Sequence, residues 1–334
     1  MESAYAWCRL AAAVLLSTIG GVGMWSVVVI LPAVQADFGV ARAAAALPYT
    51  LTMLGFGVGG VLIGLIADRF SIVVAAVVGA IVLGLGYVAA GSAGSLWQLA
   101  LAQGSLIGLG SAATFGPLLA DISHWFTRRR GIAVTICAAG NYVAGTIWPP
   151  VVQHFVAADG WRSTYIGIGI FCMATMLPLT LVLRRRATGH AVVPGQASAA
   201  EARDALGVSS GALQVLLAIA GVGCCVAMSM PQVHIVAYCG DLGYGVATGA
   251  RMLSLMLACG IVSRIGSGFI VDRIGGLRTL LLGSLAQMTA LLLYLMMNGL
   301  TSLYVISALF GLFQGGIVPS YAIIIREYFP ARQA

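Results

Sequence analysis

Gly64-Leu65-Ile66-Ala67-Asp68-Arg69 and Gly268-Phe269-Ile270-Val271-Asp272-Arg273 are the two stretches on which the fold turns. Each ends an apolar run in an aspartate–arginine pair, and they stand 204 residues apart. Three further anchors share that spacing: Gly108 with Gly311 (203), Pro117 with Pro319 (202) and Phe126 with Phe329 (203). A single six-residue match arises by chance. Four anchors at one offset describe a chain built from two related halves.

The material between the anchors is apolar. Hydrophobic residues make up 60% of the chain and charged residues 8%, with a mean hydropathy of +1.01. Soluble domains carry roughly 25% charged residues. A soluble protein this apolar would expose large sticky patches. The net charge is +7 and all 17 cations are arginine. They sit in short segments between apolar runs, which excludes a basic nucleic-acid-binding face. The seven cysteines, at 8, 137, 172, 224, 225, 239 and 259, form no CxxC pair and no Cys/His metal spacing. Most lie in apolar runs, where cysteine acts as a small hydrophobe. No metal and no cofactor is expected.

Ten apolar runs are long enough to cross a bilayer: 10–31, 47–66, 72–91, 96–122, 131–155, 162–183, 212–238, 250–271, 278–297 and 302–325. Lipid cannot satisfy backbone polar groups, so helices are expected. The run after Arg9 reaches Leu31, too long for the core of a secretory signal, and reads as an uncleaved first span. Gly104 and Gly108, and Gly59, Gly60 and Gly64, are expected to let helices approach closely. Pro117, Pro149, Pro150, Pro178, Pro231 and Pro319 mark bends within spans. Thirteen arginines fall on the side of the N-terminus; Arg42, Arg162 and Arg251 fall on the other, and Arg264 is inside a span. By the positive-inside rule both termini are cytoplasmic, in the cell (inner) membrane. The polar stretch from Arg184 to Gly211 has the composition of a flexible linker. The expected organisation is a six-helix bundle at 1–184, a cytoplasmic linker at 185–211, and a partial second bundle of four helices at 212–334. Parallel repeats around a midplane site are a design of secondary transporters.

The duplicated Gly-x-x-x-Asp-Arg end of spans two and eight resembles the signature loop of the major facilitator superfamily. Trp125-Phe126-Thr127-Arg128-Arg129-Arg130-Gly131-Ile132-Ala133 resembles the loop between spans four and five in its monocarboxylate and oxalate–formate branch, and Gly160-Trp161-Arg162 also fits the superfamily. The resemblance covers nearly the whole chain. It implies an all-α polytopic fold of two bundles that moves a small solute by alternating access. The family has twelve helices, so the fold expected here is that one truncated to about ten. There are departures. Ser71 replaces a glycine and Ile72-Val73-Val74 replaces basic residues in the first signature copy, whereas the second keeps Gly275 and Arg278. Gln103 stands where many proton-coupled members carry arginine, and span five lacks the Gly-Pro pattern of drug antiporters.

Arg264 is the first candidate for chemistry. It lies 8 residues before Asp272, which marks the inner boundary. That places it roughly 12 Å inside, against a core half-thickness of about 15 Å. A charge there costs at least ~2.5 kcal/mol. A guanidinium binds a carboxylate bidentately, and the spacing Arg264, Gly268, Asp272 resembles span eight of monocarboxylate and oxalate carriers, whose arginine engages the substrate anion. The competing reading is an arginine paired with an acid from another helix, or snorkelling to the inner surface. Asn141, Tyr142, Gln103, Gln232 and His234 are polar groups within spans that either line a cavity or bond between helices. Trp25 and Trp148 suit packing at least as well. Gly64, Asp68 and Arg69 with Gly268, Asp272 and Arg273 read as a duplicated gate, or as plain topological anchors. Asp121 and His124 suit a proton relay or an interfacial polar pair. The implied partners are a small anionic solute, protons and the lipid bilayer. An alternative is a carrier of a neutral solute or an inactive transporter fragment. An intramembrane enzyme is excluded by the lack of HExxH, a Gly-x-Ser-Gly nucleophile or a cysteine–histidine cluster.

Overall fold

In the computed structural model, residues 3–126, 130–185, 209–318, 320, 321 and 324 are described. These residues form helices α1 (Ala4–Phe38), α2 (Leu47–Arg69), α3 (Ile72–Gly91) and α4 (Leu96–Trp125). A helical stretch Arg130–Thr180 follows, broken at Gly160 by φ 79°, so that 130–159 is α5 and 161–180 is α6. Then come α7 (Ser210–Asp241), α8 (Val246–Ile274), α9 (Gly276–Met296) and the shorter α10 (Leu300–Gln314). These match the ten expected apolar runs. Asp272 is helical in backbone, but its side chain lies outside the described set, as do Pro319, Phe329 and most of the 185–211 linker.

Local chemistry sets the breaks. Ser3, Ser71 and Ser95 cap α1, α3 and α4, each hydroxyl accepting from the backbone N–H three residues on. Pro48 occupies the first turn of α2, where no N–H is needed. Gly275, at φ 82°, separates α8 from α9 in a backbone region closed to most side chains.

The chain divides into two compact units. The first comprises Met1–Gly189 and Ile235–Ser254, and the second His190–His234 and Leu255–Ala334. In the first, Leu16, Ile30, Leu83, Leu99, Ile107 and Leu118 are among the fully buried core side chains. Its tightest crossing is α2 on α4. A Cβ on Gly55 would lie 1.8 Å from the Gly104 carbonyl oxygen, and one on Gly108 would lie 2.6 Å from that of Thr52. In the second unit α8 crosses α10 in the same register. There a Cβ on Gly311 would lie 2.0 Å from the Met256 carbonyl oxygen. The sequence offset between Gly108 and Gly311 therefore corresponds to one repeated backbone contact. Of the other glycines expected to permit close approach, Gly59 does so against Leu109, but Gly60 and Gly64 face open space. They lie off the crossing, so their missing side chains bring nothing closer.

Large apolar side chains point away from the core. Leu54, Val58, Val61 and Leu65 on α2, and Val215, Ile219, Val222 and Val226 on α7, are all exposed. Both sets run at spacings of four, three and four residues, a single helix face. A soluble helix would hide such a stripe; a helix solvated by lipid tails presents it. The protein is a multi-pass membrane protein.

Candidate functional site

Among the described residues, three clusters of buried polar groups interrupt the apolar interior. The first is at the start of the chain. Arg9, expected in a loop, is instead inside α1 and only 1% exposed. Its Nε and Nη2 donate to the two carboxylate oxygens of Asp121 on α4, each at 2.7 Å. Its Nη1 donates to the Tyr5 hydroxyl at 3.2 Å and to the Arg185 carbonyl at 3.0 Å. The Trp125 ring centroid lies 4.7 Å from the guanidinium carbon. Tyr5 in turn donates to the Val182 carbonyl at 2.5 Å. One arginine thus ties together α1, α4 and the segment after α6. Asp121, read as half of a proton relay with His124, has both oxygens committed to Arg9, and His124 is exposed.

The second cluster lies deep in the first unit. Ser26, Tyr87, Gln103 and Tyr165 are each 0% exposed. The Ser26 and Tyr87 hydroxyls are 2.7 Å apart, Ser26 donates to the Tyr165 oxygen at 3.4 Å, and Gln103 Nε2 donates to the same oxygen at 3.0 Å. Gln103 opens a π-helical turn, Gln103–Gly108, within α4. Such turns displace a side chain from the regular helical position. Gln103 faces the packed interior here, and its Oε1 has no hydrogen-bond partner among the described residues. Nearby, on the seam of α1 and α5, the Trp25 indole donates to the Asn141 carbonyl at 3.3 Å and the Trp148 indole to the Thr18 carbonyl at 2.8 Å. Asn141 Oδ1 is shielded from solvent with no partner among the described residues, and neighbouring Tyr142 is 8% exposed.

The third cluster is in the second unit. Arg264 on α8 is 6% exposed, and Ser267 donates to its carbonyl at 2.9 Å. The α10 backbone runs against it, so that a Cβ on Gly315 would lie 2.8 Å from the Arg264 nitrogen. Gln232, on α7, donates from Nε2 to Gln314 Oε1 at 2.7 Å, and Gln314 is 0% exposed. His234 is half-buried on the same helix as Gln232. Gln314 went unnoticed in the sequence. Its signal was there, an amide inside an apolar run one residue from a glycine pair. Gln287 is another buried amide of this unit, 2% exposed.

The signature residues behave differently. Asp68, Arg69 and Arg273 are exposed, and Asp68 and Arg69 form no ion pair among the described residues. The remaining described ion pairs are Arg162 with Asp37 (2.6 Å) and Arg42 with Asp241 (2.5 Å). Arg162 also lies over the Trp161 ring at 4.4 Å and donates to the Ala93 carbonyl, pinning the start of α6 to the ends of α1 and α3. Among the described residues no group of three or more His, Cys, Asp or Glu can hold a metal ion.

The chain is 26% identical over 275 residues to the MFS-type transporter pynF of Aspergillus niger, covering 82% of this chain and 62% of that protein. It is 28% identical over 257 residues to monocarboxylate transporter 13 of Rattus norvegicus, covering 75% and 58%. It spans about three fifths of the length of these curated relatives. Among solved structures, a bacterial homologue of the human lysosomal transporter Spinster, inward-facing and unoccupied, superposes with a TM-score of 0.73 at 17% identity, covering 97% of this chain and 76% of that one. That likeness concerns the fold. A sequence model of the Major Facilitator Superfamily matches residues 13–334, and the chain belongs to that superfamily.

Proposed function

We propose that this chain carries a small organic anion, a carboxylate, across the cell membrane by alternating access, with Arg264 as the main electrostatic partner of the anion. The observation that carries the reading is an arginine only 6% exposed on an apolar spanning helix. Charges at that depth are expensive and mark solute paths. A guanidinium matches a carboxylate with two parallel hydrogen bonds. The names of several relatives support the same solute class, since they are called monocarboxylate transporters. Gln232 and Gln314, in the same unit as Arg264, would add amide donors. Arginine stays protonated, so a coupled proton would travel on His234 or on the solute rather than on Arg264. The bias of arginines toward the N-terminal side supports a topology with both termini in the cytoplasm.

The test is uptake of labelled organic anions into proteoliposomes by the parent, Arg264→Lys and Arg264→Ala. Lysine keeps the charge and loses the fork, so it recovers little transport. Alanine transporting with the parent's rate and apparent affinity overturns the assignment.

A further inference from the structure

Arg42 reads in the sequence as one of three arginines on the side opposite the termini, and nothing more. The structure gives it a setting. It opens a short helical turn, Arg42–Ala45, just before α2, and Asp241 ends α7; both belong to the first unit. Guanidinium and carboxylate meet edge to edge, Nη1 to Oδ2 at 2.5 Å and Nη2 to Oδ1 at 2.6 Å. The Arg42 Nε–H is shielded from water and has no partner among the described residues. Beside the pair lies a pocket of about 480 Å³, whose wall includes Pro32, Gln35, Val40 and Ala237. That volume is within the ~300–1,000 Å³ of small-molecule sites. Its wall is mostly apolar, with Gln35 as a polar group, Arg42 as the cation and Asp241 as the anion now paired with it.

We propose that Arg42 is a second anion site, where a small carboxylate ligand first binds, and that Asp241 is the internal carboxylate holding the place between ligands. The inference rests on the carboxylate reading given above. Asp241 already shows what the guanidinium is oriented to receive, two carboxylate oxygens in a plane. A free carboxylate presents the same two oxygens, and the adjoining pocket has room for its apolar body. The exposure of the pair makes the exchange feasible. The side chains are 37% and 50% exposed. Ion pairs this wet favour the bound form only about twofold to fivefold. An arginine that must bind and release a passing anion needs a weak internal competitor. A buried pair, like that of Arg9 with Asp121, would not let go.

The experiment uses the full chain in neutral detergent, free of anionic lipid, with labelled benzoate as the probe. All arms carry Arg264→Ala, so the α8 guanidinium contributes nothing. Adding Asp241→Asn removes the competitor and should tighten benzoate binding about twofold to fivefold. Adding Arg42→Gln to that variant should abolish saturable binding, and Arg42→Lys should fall between. Identical isotherms for Asp241→Asn with and without Arg42→Gln overturn the proposal, as does unsaturable binding in Asp241→Asn. Should Arg264→Ala reduce the yield of folded chain, the same pairwise differences are read on the parent background. Failure here leaves the Arg264 reading intact, and failure of the Arg264 uptake test leaves this binding result intact.

Discussion

Removing the Asp121 carboxylate is the perturbation with the clearest cost. Arg9 is 1% exposed and makes four hydrogen bonds, two of them to Asp121. In Asp121→Leu the guanidinium stays where it is, with only the neutral Tyr5 hydroxyl, the Arg185 carbonyl and the Trp125 face around it. Breaking a buried pair by deleting one partner costs about 3–5 kcal/mol, because the remaining charge is uncompensated. The converse variant, Arg9→Met, should be milder. Asp121 is 15% exposed, so its carboxylate reaches water more easily than Arg9 does. Replacing both, Arg9→Met with Asp121→Leu, removes both charges and should recover most of the loss, since apolar replacement of a whole buried pair is often neutral or stabilising by about 1–4 kcal/mol. The expected order of stability is parent and double variant together, then Arg9→Met, then Asp121→Leu. Unfolding of the purified full chain in mixed detergent and SDS micelles, followed by tryptophan fluorescence, measures it. A double variant no more stable than Asp121→Leu refutes the reasoning, because the cost would then lie in packing rather than in a stranded charge.

Three other outcomes are expected. Gly55→Ala places a methyl group where the Gly104 carbonyl oxygen lies 1.8 Å away and should cost about 1–3 kcal/mol or more, whereas Gly60→Ala, facing open space, should be neutral or stabilising by about 0.5–1 kcal/mol; equal stabilities in the same unfolding assay would mean that α2 and α4 do not cross there. Tyr165→Phe strips the acceptor from Gln103 Nε2 and should cost about 1–3 kcal/mol. Tyr87→Phe should cost less, because Ser26 can still donate to Tyr165. Single cysteines replacing Arg42 and Arg162 should react with an impermeant maleimide from outside intact cells, and those replacing Arg129 and Arg185 should not; outside labelling at 129 reverses the topology.

Spanning helices were legible in the chain because their signal is local. A run of about 20 apolar residues crosses a bilayer whatever its neighbours do, and an arginine beside it reports a side of the membrane. Duplication was legible for a similar reason: the offset from Gly108 to Gly311 needs only counting. Tertiary structure alone decided which of these residues meet. Gly55 and Gly60 look alike in sequence, and only the point where α2 crosses α4 makes one of them essential and leaves the other facing open space. Arg9 looks like an anchoring charge, and its partner is 112 residues away. Gln103, polar in a span, reads in sequence either as a cavity residue or as a bond between helices, and only the tertiary structure sets its amide against Tyr165 on another helix. Asp241 and Arg42, 199 residues apart, meet beside a pocket that neither segment announces. Hydrophobicity and charge act on each residue through its solvent, so they can be read one segment at a time. Packing and ion pairing depend on distances between segments, and those distances exist only once the helices have been brought together.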